Sequence, residues 1–351
     1  MSKAAELAAL IANVNNGSSL ANKNFIINGN MSVAQRGTSF TTTSAYTLDR
    51  WTFQTDLLDQ YAHTVTQSTD TPEGFASSLK IEVTTSETSV ETTEDLAVSH
   101  KIEAQNLQHL QAGTSSAKSL ALSFYVKSSV TGVYAVHLQA LDDNKIFPTT
   151  YTINSANTWE YKTITIPPCT IATIDNDTGV GLRLTFITIS GSTYTGGSTG
   201  SWQSYASNLF AAGHQANVSS DGDTWLITGV QLEVGEKATE FEHEPYEATL
   251  KKCLRYHYQY TTSGLSDNPA YINSPYSPAS HDGSLPNSSG YITVQHPVPM
   301  RAAPSHPATT VVGSNSLNRD TSTIYHTVYQ FSSTTSDEAQ SISAATITAE
   351  L

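Results

Sequence analysis

Between Phe25 and about Glu247 the chain repeats one unit: a short run of alternating apolar and polar residues, then a cluster of turn formers. A period of two sends alternate side chains to opposite faces, so such a run buries one face of a strand and no face of a helix. Runs of this kind fall at residues 24–31, 50–53, 61–67, 78–84, 120–128, 133–141, 158–166, 180–189 and 225–233. Turn formers separate them at Pro72-Glu73-Gly74, Asp142-Asp143-Asn144, Pro167-Pro168, Asp175-Asn176-Asp177 and Gly196-Gly197. Long helices do not interleave with the runs, so the expectation is a jelly-roll-like antiparallel β-sandwich over 25–247, not a parallel α/β sheet. The segment 98–110 has the one other pattern compatible with a helix.

Residues 226–260 mark the end of that domain. The alternation of Leu226, Thr228, Val230 and Leu232 against Ile227, Gly229, Gln231 and Glu233 reads as a strand, which Gly235 and Pro245 stop. A helical turn from Ala248 and an aromatic strand to Tyr260 then open a smaller β-domain, 248–351. It is loop-rich to about Gly290, with further strands expected at 291–298, 308–312, 324–331 and 344–351. Few large apolar residues serve this last part, a marginal core that oligomerisation would complete.

The first 24 residues differ from the rest. In KAAELAALIANV, residues 3–14, Leu7, Leu10, Ile11 and Val14 recur at helical spacing, Ser2 stands at the N-cap and Asn15-Asn16-Gly17 ends the run. Twelve residues do not hold a helix alone in water, so the stripe is expected to pack on copies of itself or on a partner.

Ser and Thr form about a quarter of the chain, charged residues 14%, and the net charge is −14. Residues 1–250 hold 25 acidic and 12 basic side chains, and 251–351 hold 6 and 5. An acidic surface repels phosphate backbones, which argues against nucleic acid as a partner. No stretch of 18 apolar residues and no signal-peptide pattern occurs, so neither membrane insertion nor secretion is expected. Cys169 and Cys253 stand far apart in dissimilar contexts and are expected as idle thiols.

Catalytic patterns fail on their surroundings. Gly196-Gly197-Ser198-Thr199-Gly200 matches a nucleophile elbow, but the elbow needs a strand before the serine and a helix after it, and small loop residues flank this one. The carboxylate pairs Asp142/Asp143, Asp175/Asp177 and Asp221/Asp223 sit among turn formers. Position twelve of a calcium loop starting at Asp175 is Phe186. The histidines lack metal-ligand spacing, and neither a Walker loop nor G-x-G-x-x-G is present. The expectation is a protein without catalytic residues, metal ligands or cofactor. Aromatics divide into two sets. Trp51, Trp159 and Trp225 fall on strands and are read as core. Trp202, Tyr205 and Tyr194, near a Gly-rich loop, and Tyr271 and Tyr276, in a Pro-rich loop, are candidates for stacking on a sugar ring, beside Ser, Asn and Asp that would hydrogen-bond its hydroxyls.

Three segments together resemble one family. NFIINGNMSVAQRGTSF (24–40) with YTLDRW (46–51) comes first, then ITGVQLEVGEKATEFEHEPY (227–246) with LKKCLRYHYQY (250–260), then HPVPMRAAP (296–304) and the final ATITAEL. In this order they resemble the jelly-roll fibre and appendage proteins of tailed bacteriophages. The resemblance implies a virion structural protein with a carbohydrate-binding-like β-sandwich and supplies no catalytic residue. It further implies a homotrimer, assembled in the host cytoplasm, whose N-terminal helix contacts other virion proteins. Two functions fit: a tail fibre that adheres to host surface glycans, or a capsid-decorating or head-fibre protein without specific receptor binding.

Overall fold

A computed structural model describes residues 3, 23–41, 44–56, 61–261, 288–312, 317–333 and 341–351. The chain divides into two units, residues 1–246 with Leu351, and residues 247–350. Leu7, Leu10, Ile11 and Val14, the stripe of the expected helix, lie outside the described residues.

The first unit contains β1 (Ser39–Phe40), β2 (Ser44–Tyr46), β3 (Trp51–Asp56), β4 (Ala62–Ser68), β5 (Ser78–Thr85) and β6 (Asp95–Glu103). After a 3-10 helix, Ala104–Leu110, come β7 (Leu120–Ser128), β8 (Gly132–Ala140), β9 (Lys145–Ile153), β10 (Glu160–Ile166) and β11 (Val180–Ser190). A four-residue helix α1 (Ser192–Thr195), β12 (Gln203–Ser204) and β13 (Thr224–Val234) complete it. Two antiparallel sheets form, in the orders β1-β4-β5-β13-β7-β10 and β12-β9-β8-β11-β6-β3-β2. They face each other across one apolar core in a jelly-roll-like β-sandwich. Trp51 and Trp225 are wholly buried in that core with Phe124, Tyr134 and Phe186. Edge-to-face contacts of Phe124 with Tyr151 and Phe186 lock it at ring-centroid distances of 5.1 and 5.0 Å.

The expected strand at 24–31 does not form. Asn28 and Met31 adopt left-handed backbone (φ 61° and 58°), and the Asn28 side chain staples the resulting turn. Its Nδ2 donates to the carbonyls of Val33 (2.9 Å) and Asp49 (3.0 Å), while its Oδ1 accepts from the Val33 N–H. The Asn28 carbonyl in turn receives Trp51 Nε1 at 3.0 Å. The INGN and LDRW motifs are therefore one structural clasp. The segment 98–110 splits: its first part belongs to β6 and its second is the 3-10 helix. Trp159 is not core. It precedes β10, is half-buried, and donates Nε1 to Asp70 Oδ1 at 3.0 Å.

In β13 the register slips between Thr228 and Gln231, and Gly229 takes φ +61°. A Cβ there would stand 2.7 Å from the Phe75 ring, so the bulge requires glycine.

The second unit has helix α2 (Tyr246–Leu254, its first residue assigned to the first unit), then β14 (His257–Thr261), β15 (Ser288–Gln295), β16 (Ser305–Val312), β17 (Leu317–Ser322), β18 (His326–Ser333) and β19 (Ser341–Thr348). They form two three-stranded antiparallel sheets, β14-β19-β16 and β15-β18-β17. Cys253, Tyr256, Met300 and Ile347 are buried in it. No helix among the described residues is long and apolar enough to cross a membrane.

Candidate functional site

The outward face of the seven-stranded sheet is the best-furnished surface of the first unit. Beyond β11 the chain turns back over this face through α1, β12 and a 3-10 turn at Ser207–Leu209. Ala211 packs there against Ala97, Ala135 and Ile187, with Tyr194 and Phe210 at the flanks. Small residues on β6 and β8 allow that close approach. Backbone bonds hold the segment: Ala211 N to Tyr194 O (3.0 Å) and Gly197 N to Asn208 O (2.8 Å). At Gly197 a Cβ would fall 2.6 Å from the Asn208 carbonyl oxygen, so only glycine permits this crossing.

Next to this apolar patch the same face becomes polar. Strand register places Arg183 between Gln139 and Lys101, and Thr185 between His137 and Ser99. Arg183 Nη2 donates to Gln139 Oε1 at 2.5 Å, and Gln139 Nε2 donates to Asn144 Oδ1 at 2.9 Å. The Asn144 carbonyl accepts the Tyr205 N–H at 3.0 Å, which ties Tyr205 to the same group. Ser99 Oγ donates to Thr185 Oγ1 at 3.1 Å. His137 Nδ1 donates to the Phe210 carbonyl at 2.7 Å, leaving Nε2 as an acceptor. Burial holds the His137 imidazole neutral, with its pKa pushed down to about 3 and the Arg183 charge adding to the effect.

At the far end of β6, Asp95 pairs in register with Asp56 of β3. Six residues separate it from Lys101, a run of ~20 Å along the strand. Asp95 is 6% exposed. Burial first, and Asp56 second, raise its carboxyl from 3.8 to about 7. Tyr194 lies within electrostatic reach of Asp95, Asp56 and Tyr205, and burial is the main reason its phenol is raised. Three buried polar atoms of this face have no protein partner: Arg183 Nε, His137 Nε2 and Asp95 Oδ1. Leaving a buried donor or acceptor unpaired costs about 1–3 kcal/mol, and other such atoms occur elsewhere in the unit, at Tyr61 OH, His100 Nδ1 and His214 Nε2.

The structure thus places Tyr194 and Tyr205, singled out from the sequence, on one sheet face. Trp202 does not join them. It is half-buried against the main core, its ring 5.8 Å from that of Phe147 and its Nε1 donating to the Pro167 carbonyl at 2.8 Å. With Leu110, Lys118, Cys169 and Ile174 it lines a small crevice at the end of the sandwich. Its reading as an exposed stacking platform is corrected: the ring closes the core edge. Tyr271 and Tyr276 lie outside the described residues. Sequence reasoning missed Arg183, Gln139, His137 and Asp95. Their strands were visible, but which parity faced outward and which strands were neighbours were not.

A second surface was also missed. On the six-stranded sheet Tyr161 pairs with Tyr125 at 4.9 Å, Tyr125 with Phe75 at 5.4 Å, and Phe75 with Phe241 at 5.1 Å. These rings tilt onto one another over the Gly229 bulge, and of the four only Tyr161 is well exposed, at 47%.

Other sequence motifs are turns. Ser198 sits in an exposed loop, Asp143 Oδ2 accepts the Thr173 N–H at 2.6 Å, Asp142 Oδ2 accepts the Asp175 N–H at 2.9 Å, and Asp223 Oδ2 accepts the Ser220 N–H at 2.9 Å. Both cysteines are buried, and no disulfide joins them. Among the described residues no three His, Cys, Asp or Glu side chains converge as metal ligands.

Sheet order and pairing define the class as an antiparallel jelly-roll-like β-sandwich. No protein-family model and no curated protein matches the chain. Among solved structures it is similar to the enzymatically active domain of tailspike protein 4 of bacteriophage CBA120. That match covers 61% of this chain and 22% of that one, at 14% identity and a TM-score of 0.33. A putative sugar binding protein from Bacteroides thetaiotaomicron is similar over 60% of this chain and 100% of its own, at 12% identity and a TM-score of 0.36. The family 11 carbohydrate-binding module of Clostridium thermocellum, in complex with a mixed-linked tetrasaccharide, is similar over 59% of this chain and 98% of its own, at 10% identity and a TM-score of 0.29.

Proposed function

We propose that this chain is a virion appendage protein of a tailed bacteriophage, a tail fibre that adheres to host surface glycans and has no catalytic activity. The observation that carries the binding role is the outer face of the seven-stranded sheet. There two half-buried tyrosines, Tyr194 and Tyr205, stand beside polar side chains whose buried atoms lack protein partners. A sugar ring offers an apolar face to an aromatic ring and hydroxyls that both donate and accept. The virion assignment rests on the three sequence segments. The N-terminal helix is proposed as the contact to other virion proteins, and the assembly as a homotrimer.

Stacking one sugar ring on a tyrosine contributes on the order of 1 kcal/mol beyond area burial. Single sites are then weak, and display in three copies raises avidity through effective concentration. Purified protein should block adsorption of the particle to host cells. The double substitution Tyr194→Ala and Tyr205→Ala should abolish that block while shifting the melting temperature by only a few degrees. Wild-type protein that assembles into particles but never blocks adsorption would favour the alternative, a capsid-decorating or head-fibre protein. A monomer by analytical ultracentrifugation of the full chain would refute the trimer.

A further inference from the structure

The side chain that most constrains what the proposed glycan face accepts is Arg183. Among the other arginines, Arg36 lies 4.0 Å from the Asp49 carboxylate, while Arg50 donates to the Lys101 carbonyl and Arg301 to the carbonyls of Ala349 and Glu350. Arg255 likewise donates to the Pro299 carbonyl. Arg183 is half-buried, and its one side-chain hydrogen bond among the described residues goes to the neutral amide of Gln139. Its Nε is buried without a partner, and no carboxylate pairs with it among the described residues. A guanidinium carries five N–H donors in a rigid fork that matches a carboxylate with two parallel bonds.

The surroundings sharpen the point. The neighbour of Arg183 across β6 is another cation, Lys101, which has polar partners of its own. Like charges at paired strand positions repel, and desolvation already lowers the Arg183 pKa. A chain of net charge −14 has acidic groups to spare for neutralising this cation, yet among the described residues none forms an ion pair with it. Tyr205 stands within electrostatic reach of the guanidinium. One step along the same face the Ser99 and Thr185 hydroxyls are buried and bond each other.

Resting on the glycan-binding reading, we infer that the ligand is an acidic glycan and that a uronic-acid carboxylate seats on the Arg183 fork with its ring against Tyr205. The opposite end of the face, with Asp95 and Asp56, repels a second carboxylate and receives neutral residues of the same chain. Specificity is then set by the spacing of acidic and neutral sugars.

Ligand-observed saturation-transfer NMR on the full chain tests this with six probes at millimolar concentration. They are glucuronate, galacturonate, the methyl ester of each, glucose, and glucose 6-phosphate. The expected result is saturation of at least one uronate, with affinity falling roughly ten-fold or more on esterification, the loss of a charged hydrogen-bond pair. Arg183→Gln should remove the preference for the free acid, Arg183→Lys should keep part of it, and 0.5 M salt should weaken it. Equal binding of acid and ester, or an acid preference unchanged in Arg183→Gln, overturns the inference. Stronger saturation of glucose 6-phosphate than of either uronate replaces the carboxylate by a phosphate and also overturns it. If Arg183→Gln does not fold, the acid-versus-ester comparison on the wild-type chain decides alone. Binding of neutral probes that is lost in Tyr205→Ala but kept in Arg183→Gln leaves the glycan face standing without this inference, and no saturation by any probe removes both.

Discussion

The buried carboxyl of Asp95 makes a prediction that needs no ligand. It is 6% exposed, has one oxygen without a partner, and lies across the strand pair from Asp56. Desolvation and that neighbour raise its pKa from 3.8 to about 7. Because the folded-state pKa exceeds the unfolded one, the folded chain binds the extra proton between these values, and stability falls as pH rises through that window. Below about pH 4 both states are protonated and Asp95 costs nothing. Above pH 7 the penalty is complete, at about 4 kcal/mol as a ceiling, from ~1.4 kcal/mol for each pKa step. Asp95→Asn keeps the shape and removes the charge, so it should raise stability by several kcal/mol at pH 8 and hardly at all at pH 4. Domains of this size gain roughly 2–4 °C per kcal/mol, so thermal melts followed by circular dichroism should show a gain of ~5 °C or more at pH 8. Asp56→Asn should recover a smaller part, since burial outweighs the neighbouring charge. An equal gain for Asp95→Asn at both pH values, or a loss at pH 8, would refute the reasoning.

Three further outcomes follow from the packing. Trp202→Ala should lose about 3 kcal/mol, because a ring against the core edge leaves a cavity, whereas Trp202→Phe should lose closer to 1 kcal/mol, the bond to Pro167. Gly229→Ala should cost about 1–3 kcal/mol in denaturant unfolding, from a left-handed backbone and the Phe75 ring in contact. Tyr161→Ala, at the exposed end of the aromatic row, should change both stability and the adsorption block little, which equilibrium unfolding and the adsorption assay check together.

Most of the sandwich was legible because a strand with one buried face writes its period into the sequence. The run at 120–128 coincides with β7, and those at 61–67, 78–84, 180–189 and 225–233 miss their strands by a residue or less at each end. The failures share a cause. β6 reads DLAVSHKIE and is buried on both faces over most of its length, with Ala97 on the outward face and His100 among the inward positions, so its alternation is blurred. β9 carries Pro148 and three threonines, and it is pinned by pairing with β8 and not by its own pattern. At 24–31 an apolar run, Phe25-Ile26-Ile27, suggests a strand, but Asn28 and Met31 leave the extended region and the Asn28 side chain staples the turn. Trp202 was misplaced for a related reason: flanking Ser and Gly mark a loop, yet they do not say which side of the loop meets the core.

The candidate face was partly legible for the opposite reason. Tyr194 and Tyr205 lie on the covering segment, where a polar, Gly-rich sequence announces a surface. Arg183, Gln139 and His137 lie on β8 and β11, where the covering segment closes over His137 and the neighbouring outward positions and leaves Arg183 half-buried. A fully solvated arginine and an arginine at the margin of a covering loop look alike in sequence. Only the register, which sets Arg183 between Gln139 and Lys101 and opposite no acid, separates them. The apolar contact of Ala97, Ala135, Ile187 and Ala211 closes one stretch of the face, and the register leaves the row of Gln139, Arg183 and Lys101 beyond it. The covering segment thus buries enough of the sheet to hold Tyr194 and Tyr205 in place, and the proposed carboxylate seat, Arg183, stands at its margin.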